Sequence, residues 1–218
     1  MSPIDQSAPF ENGAKPFPAD TALILAGGRG LRMGYDKKRL ALGGKSVLER
    51  LLEGLGPLFA KVLVSSNDPV PGLEALPDTL GSGPLAGIYQ GLLHSPSDWL
   101  YVIACDMPFV NPGYIAHLRS IVALGACDVC LTSRQGGRYE PFNAFYSKNC
   151  LNVIKEALER GEYKIQPVVD RLRVAVIPPE IAKTFGSETM FFNINRPGDL
   201  DRAEARLRDA PPGPKGDP

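Results

Sequence analysis

The residues best suited to chemistry lie in a glycine-rich, basic segment that directly follows a short apolar run. The run is TALIL at 21–25, and it continues into AGGRGLRMGYDKKR at 26–39. Closely spaced glycines let a backbone turn tightly and direct several N–H groups toward one anion. Arginine suits bidentate phosphate contacts and lysine adds a point charge. The segment therefore predicts a loop that binds a polyphosphate.

Counting residues excludes two common phosphate loops. A dinucleotide fingerprint that starts at Gly28 needs a third glycine at position 33, which is Met33. A P-loop that ends in Gly44-Lys45-Ser46 needs a glycine at position 39, which is Arg39. A tight strand-to-helix turn with a solvated basic face is the remaining structural alternative for this segment.

Two carboxylates follow predicted strands or turns and are candidates for a site. Asp106 comes just after the apolar run WLYVIA at 99–104, and Asp78 precedes a glycine-containing loop at 79–84. Magnesium takes only one or two protein carboxylates and keeps phosphates and waters as its other ligands. A single aspartate at a strand end fits that need. The structural alternatives are a turn or helix-capping role for Asp106 and a surface turn for Asp78.

Short apolar runs alternate with amphipathic segments along the chain. The runs TALIL, KVLVS and WLYVIA predict buried strands, and Ser46 with Glu49 predicts a capping box at a helix start. Asn111 and Pro112 predict a second helix start. Later predictions are strands at 128–132, 142–146, 173–177 and 190–194, and helices at 150–160 and after Pro197. This alternation predicts an α/β fold with a mostly parallel sheet, helices on both faces, and a ligand at the carboxyl ends of the strands.

Composition limits the class of protein. The chain has 218 residues, with 24 Lys+Arg against 24 Asp+Glu, which argues against a general nucleic-acid or membrane-surface binder. No apolar run is long enough to span a membrane, and four cysteines are too few for a disulfide scaffold. A cytoplasmic protein is the expectation. We predict one domain over 21–207, between disordered segments at 1–20 and 208–218 rich in proline and glycine.

Two weaker signals have structural explanations. Cys127 and Cys130 have the spacing of a zinc or redox pair, but in a strand residues three apart face opposite sides, so we expect the thiols not to converge. Asn193 and Asn195 follow a predicted strand and precede a helix that starts at Pro197, so capping by Asn195 is expected.

Several blocks together resemble one family. LAGGRGLRMGYDKKRL at 25–40 resembles the pattern L-A-G-G-x-x-x-R-M-G-x-D-K of molybdenum cofactor guanylyltransferases, within the nucleotidyltransferase superfamily. Four further blocks match in the family's order: GPLAGI at 83–88, CDMPF at 105–109, EPFNAFY at 140–146 and FFNINRPGDL at 191–200. The resemblance spans nearly all of residues 21–207.

The resemblance implies a three-layer α/β/α Rossmann-like nucleotidyltransferase fold with a mostly parallel sheet. It implies transfer of GMP from GTP to the terminal phosphate of Mo-molybdopterin, with release of diphosphate. Asp106 then corresponds to the magnesium-binding aspartate. Lys37 would hold the triphosphate, and Arg32 would help to neutralise the leaving diphosphate.

The resemblance also assigns binding roles. Nucleotide contacts are expected from Leu25, Ala26, Gly27, Gly28, Lys37, Asp78 and Asp106. Asn193 and Asn195 would border the pterin. The family's usual T-P-E-D continuation is replaced here by Arg196-Pro197-Gly198-Asp199. Arg196 is a hypothetical contact for the substrate phosphate.

Alternatives remain open at this point. One is a related nucleotidyltransferase that uses CTP or acts on a sugar or alditol phosphate, since the glycine loop and both aspartates would serve it equally. Another is a non-catalytic nucleotide-binding carrier module. Molybdopterin-carrying proteins or recipient molybdoenzymes are the candidate protein partners, and no nucleic-acid or membrane partner is expected.

Overall fold

The computed structural model describes residues 19–27, 40–70, 72–134 and 136–209. Its strands are β1 (Thr21–Leu25), β2 (Ala41–Leu42), β3 (Lys45–Ser46), β4 (Lys61–Ser65), β5 (Ala75–Leu76), β6 (Trp99–Ala104), β7 (Val129–Ser133), β8 (Tyr139–Ser147) and β9 (Val174–Ile177). Its helices are α1 (Val47–Leu55), α2 (Pro84–His94), α3 (Pro112–Val122), α4 (Cys150–Glu159), α5 (Ile165–Val169), α6 (Pro179–Thr184), α7 (Ser187–Met190) and α8 (Pro197–Asp209). None of the helices in this part of the chain combines the length and the apolar character needed to cross a bilayer.

Seven of the strands form one sheet in the order β5-β4-β1-β6-β8-β7-β9, and β2 and β3 form a separate small hairpin. Within the large sheet, β8 runs antiparallel to both of its neighbours, β6 and β7. The other six strands run parallel to one another. The predicted α/β fold with a mostly parallel sheet is therefore confirmed.

The sheet separates two apolar cores. In β1, Ala22 and Ile24 pack in one core while Leu23 and Leu25 pack in the other. Buried residues of α1, α3, α6, α7 and α8 lie in the first core, and those of α2, α4 and α5 lie in the second. Both faces of β1 and β6 are buried, which explains why these strands are continuous apolar runs rather than alternating ones.

Two predicted helix starts are confirmed in detail. The Ser46 side chain accepts a hydrogen bond from the Glu49 backbone N–H, and the Glu49 carboxylate accepts from the Ser46 N–H. The Asn111 side chain accepts from the Tyr114 N–H at 2.8 Å. Such caps satisfy N–H groups that have no partner within the first helical turn.

The strand predicted at 190–194 is wrong. Residues Ser187–Met190 form α7 after Gly186, which adopts the left-handed conformation at φ 75°. The following residues join no strand; instead the Ile194 N–H donates to the Asp106 carbonyl at 2.9 Å. At the other predicted boundary, α8 continues to Asp209, so the first two residues of the predicted tail are helical.

The reasoning about the two cysteines also needs correction. Cys127 and Cys130 pack in the same core, because Cys127 lies before β7 begins and so escapes the strand alternation. Both are free thiols. Burial raises the pKa of Cys127, and it raises the pKa of Cys130 to about 12. Thiols buried in this way are poor nucleophiles and poor metal ligands.

The topology brings three strand ends to one level. Leu25, the last residue of β1, is aligned with Ser65 of β4 on one side and with Ala104 of β6 on the other. The chain runs from β1 to β4 and β5 on one side, and α2 then carries it across to β6 on the other side. The strand order thus reverses between β1 and β6, and open α/β sheets bind their ligands beyond the carboxyl ends of the strands at such a point.

At the amino ends of β7 and β9, Asp128 and Arg173 form an ion pair that joins the two strands. The Arg173 guanidinium donates to both Asp128 oxygens, at 2.7 and 2.9 Å, and Asn149 donates a third hydrogen bond at 3.0 Å. These hydrogen bonds, those from Arg173 above all, lower the pKa of Asp128 to about 2. A carboxyl with a lowered pKa in the folded state stabilises the fold above its ordinary pKa and loses that contribution as the pH falls toward the lowered value.

We therefore predict that Asp128→Asn lowers the free energy of unfolding at pH 7 by about 1–2 kcal/mol, because the exposed Arg173 side chain leaves the pair partly screened by water. The difference from the wild type should shrink as the pH falls from about 4 toward 2, where the wild-type carboxyl becomes protonated. Urea unfolding at several pH values measures both effects. The same exchange at the exposed Asp170 is the control. Equal stabilities at pH 7, or a difference that does not change with pH, would contradict this role of the ion pair.

Candidate active site

The end of β1 is anchored on both sides before the chain leaves the sheet. The Ala26 N–H donates to the Ser65 carbonyl at 2.9 Å, and the Cys105 N–H donates to the Leu25 carbonyl at 3.0 Å. Leu25 and Ala26 are buried, whereas Gly27 is exposed. Among the described residues, the atom nearest to a Cβ on Gly27 would be the Ser65 carbonyl oxygen, at 3.9 Å. The predicted phosphate loop thus starts at an open position on a fixed strand end.

The three other loop residues singled out from the sequence, Gly28, Arg32 and Lys37, lie outside the described residues. Their roles therefore stay predictions. The structure does establish that Gly27, the first glycine of the loop, is exposed and lies just beyond the carboxyl end of β1, which pairs with β6.

Asp78 lies beyond β5, on the β4–β5 side of the same edge. Its backbone N–H donates to the Asn67 side-chain oxygen at 2.7 Å, and the Asn67 amide donates back to the Asp78 carboxylate at 3.1 Å. Burial raises the pKa of Asp78, although hydrogen bonds from Asn67 and from the Gly83 backbone oppose the rise. Asp78 is thus a partly desolvated acceptor held in place by its neighbours, rather than a freely solvated surface turn.

Helix α2 begins beside Asp78 and packs unusually close to the strand ends. Its first turn follows Gly83, whose φ of 81° favours glycine, and Pro84 occupies the first helical position. A Cβ atom on Gly87 would lie 2.6 Å from both the Leu25 side chain and the Ser65 hydroxyl. Glycine at this position therefore lets the first turns of α2 sit against the ends of β1 and β4.

Asp106 occupies the turn that follows β6. The turn is closed by a hydrogen bond from the Met107 N–H to the Ala104 carbonyl at 3.0 Å. Because the Cys105 N–H is hydrogen-bonded to the Leu25 carbonyl, Asp106 lies next to the position where the chain leaves β1. Asp106 therefore lies beside Gly27, the one described residue of the glycine loop, and its role opposite the rest of that loop stays a prediction.

Asn193 and Asn195 lie in the segment that is hydrogen-bonded to the Asp106 turn through Ile194. The Asn193 side chain donates to the Phe191 carbonyl at 2.9 Å. The backbone N–H groups of Asn195 and Arg196 both donate to the Asp199 carboxylate at 3.0 Å. These bonds lower the pKa of Asp199. Asp199 thus accepts the two backbone N–H groups that directly precede α8, and the expected capping by Asn195 stays a prediction.

Two buried polar residues of β8 were not identified from the sequence as site residues. Glu140 is 1% exposed and forms an ion pair with Arg134. Asn143 is also 1% exposed, and its amide nitrogen contacts the sulfur of Met107, which follows Asp106, and the carbonyl of Met190. The EPFNAFY block contains both residues, but its apolar character there predicts only a strand. Their burial and their partners appear only in the folded chain.

Comparison with known proteins decides the family. The profile of the MobA-like NTP transferase domain matches residues 22–176. The chain belongs to this family. The prediction of a nucleotidyltransferase, made from the motifs, is confirmed.

Two relatives show which branch of the family this chain resembles. A protein of Peptoclostridium acidaminophilum named probable molybdenum cofactor guanylyltransferase is 35% identical over 186 residues, which cover 80% of this chain and 84% of the relative. A protein of Syntrophotalea carbinolica named molybdenum cofactor guanylyltransferase is 35% identical over 188 residues, covering 84% and 89%. The predicted membership of the guanylyltransferase branch is thereby confirmed.

Solved structures agree with this placement. The molybdopterin-guanine dinucleotide biosynthesis protein A of Archaeoglobus fulgidus superposes with a TM-score of 0.77 at 30% identity, covering 87% of this chain and 100% of that one. A 2-C-methyl-D-erythritol 4-phosphate cytidylyltransferase of Thermus thermophilus superposes with a TM-score of 0.62 at 23% identity, covering 86% and 98%. The second likeness shows a shared fold.

The close packing of α2 generates a testable prediction. Gly87→Ala should destabilise the fold by about 1–3 kcal/mol, because the Leu25 and Ser65 side chains must move to admit the new methyl group. Gly198→Ala, in the first turn of α8, is the matched control, since a Cβ there meets no atom of the described residues within 4 Å. It should leave the stability unchanged or raise it slightly. Urea unfolding measures both, and a Gly87→Ala protein as stable as the wild type would contradict the described packing.

Proposed function

We propose that this protein transfers GMP from GTP to the terminal phosphate of molybdopterin, forming molybdopterin guanine dinucleotide and releasing diphosphate. The observation that carries the proposal is the hydrogen bond between Cys105 and Leu25, which brings the Asp106 turn beside the start of the phosphate loop. The names of the relatives supply the guanylyl and molybdopterin parts of the proposal.

The reaction needs no nucleophile from the protein. An oxygen of the molybdopterin phosphate attacks the α-phosphorus of GTP, and the bond from that phosphorus to the bridging oxygen of the β-phosphate breaks. Diphosphate leaves with the electron pair of that bond. The attacking phosphate is already anionic, so catalysis consists of alignment and of neutralising charge on the phosphates.

The donor nucleotide would lie over the β5-β4-β1 half of the sheet edge. Backbone groups of Leu25, Ala26, Gly27 and Gly28 would contact it, and Asp78 would accept hydrogen bonds from the guanine base. A carboxylate accepts well from the ring N–H and amino group that guanine presents side by side. Lys37 would bind the triphosphate, and Arg32 would contact the departing diphosphate.

A divalent cation, which we take to be Mg²⁺, fits Asp106. The residue supplies a hard carboxylate oxygen at a half-buried position beside the phosphate loop. Among the described residues, no three or more histidine, cysteine, aspartate or glutamate side chains are placed so that they could hold a metal ion together. A site that uses one carboxylate and substrate phosphates is the arrangement that magnesium favours. The ion would supply charge neutralisation at the phosphates.

The acceptor would lie on the other side of Asp106, toward β8 and β7. Asn193 and Asn195 would border the pterin, since Ile194 between them is hydrogen-bonded to Asp106. Arg196 would contact the acceptor phosphate. A cytoplasmic location, and delivery to or from molybdopterin-carrying proteins or recipient molybdoenzymes, stay predictions.

Substrate choice tests the proposal against its alternatives. Thermal shift with GTP, CTP, ATP and UTP in the presence of Mg²⁺ should show stabilisation by GTP, which amounts to about 2.7 kcal/mol at 100 times the dissociation constant. Diphosphate release should then require both GTP and molybdopterin. A preference for CTP would indicate the cytidylyl alternative. Nucleotide binding without diphosphate release would indicate a carrier module.

Two substitutions test the assigned roles. Asp106→Ala and Lys37→Ala should each lower the rate at least about 10²-fold, the scale for removal of one preorganised electrostatic group. Glu74→Gln, at an exposed position near the same edge, is the control and should retain the wild-type rate. Circular dichroism checks the folding of each variant. Near-normal rates in either of the two variants would contradict the mechanism.

A further inference from the structure

Asn143 has a backbone conformation that residues with side chains rarely adopt. Its φ is 51°, and no other non-glycine residue in the described part of the chain has a positive φ. The pairing of β8 with β7 shifts register at this point, between Cys130 and Thr132. Bulges of this kind re-aim side chains near active sites, and an observed backbone outlier there justifies asking what it does.

The side chain of Asn143 uses this conformation to reach three separate segments. Its oxygen accepts a hydrogen bond from the Tyr101 hydroxyl at 2.5 Å. Its amide nitrogen donates to the Met190 carbonyl at 2.8 Å and lies 3.5 Å from the Met107 sulfur. Glycine would adopt the same φ without strain but would form none of these contacts. Asparagine tolerates the left-handed region and also supplies the bridge.

These contacts close a ring around the Asp106 turn. Met107 follows Asp106 directly, and the Asp106 carbonyl accepts from the Ile194 N–H at 2.9 Å. Ile194 lies four residues after Met190, whose carbonyl accepts from Asn143. Asn143 therefore contacts the turn from one side and the segment bonded to that turn from the other.

We propose that Asn143 is a positioning residue that holds the turn carrying Asp106 in a fixed relation to residues 191–195. The inference rests on the proposed function, in which Asp106 holds the cation and residues 191–195 border the acceptor. Small displacements of groups that orient a metal ligand or a substrate reduce activity strongly. Asn143 thereby couples the donor side of the site to the acceptor side without touching either substrate.

Asn143→Gly tests this role, because it retains the left-handed backbone and removes only the amide. Mn²⁺ serves as a spectroscopic substitute for Mg²⁺, since both prefer oxygen ligands. Electron paramagnetic resonance in the presence of GTP should show Mn²⁺ affinity reduced about 10-fold or more, the scale for loss of a group that orients a metal ligand. In steady-state assays, kcat should fall, and KM for molybdopterin should rise.

Thr21→Val is the matched control. It removes another buried side-chain hydrogen bond, between the Thr21 and Ser97 hydroxyls at 2.8 Å, at the opposite edge of the sheet. Both variants should unfold at lower urea concentration than the wild type. Only Asn143→Gly should lose Mn²⁺ affinity. If the two variants lose stability alike and both keep the wild-type Mn²⁺ affinity, Asn143 is merely structural and the proposal is overturned.

Tyr101→Phe provides a milder second variant in case Asn143→Gly does not fold. It removes the hydroxyl that orients the Asn143 amide and keeps the ring in the core. We expect a smaller reduction of Mn²⁺ affinity in the same direction, and wild-type affinity would overturn the proposal.

The Mn²⁺ titration needs no acceptor. Failure of the wild type to form the dinucleotide would therefore reject the proposed function, while the titration still decides the role of Asn143.

Discussion

The pairing of β1 with β4 on one side and β6 on the other is the interaction on which the rest of the structure depends. Leu25 is level with both Ser65 and Ala104, so three chain segments leave the sheet at one height. If the pairing of one strand shifted by one residue, the point where the chain leaves that strand would move by about 3.3 Å. Every side chain of the strand would then face the wrong core. The burial of both strand faces thus fixes the positions of Gly27 and Asp106 relative to each other.

The site at the carboxyl ends of the strands has a donor side and an acceptor side, and different contacts stabilise each of them. On the donor side, Asn67 and the Gly83 backbone hold Asp78, and Gly87 lets α2 approach the strand ends. On the acceptor side, the Asp106 turn and the segment after α7 are joined through backbone and side-chain hydrogen bonds. A transfer reaction between two anionic substrates depends on this kind of preorganisation, since it relies on alignment more than on a reactive side chain.

The parts of the fold that could be predicted are those set by local pattern. TALIL and WLYVIA are short apolar runs bounded by turn residues, and both are central strands. The segment at 190–194 shows where local pattern fails. Its alternate residues Met190, Phe192 and Ile194 are buried as in a strand, but none of the described strands pairs with it. The conformation of Asn143 could not be predicted either, because it depends on partners more than 30 residues away in the chain.

The most direct test of the account is a crystal structure of the protein with GTP and Mg²⁺. We expect the triphosphate to lie against the backbone N–H groups at the exit of β1, with guanine toward Asp78. The cation should lie about 2.1 Å from an Asp106 carboxylate oxygen and should contact the phosphates. A nucleotide bound at another edge of the sheet, or a phosphate-bound cation remote from Asp106, would contradict the account.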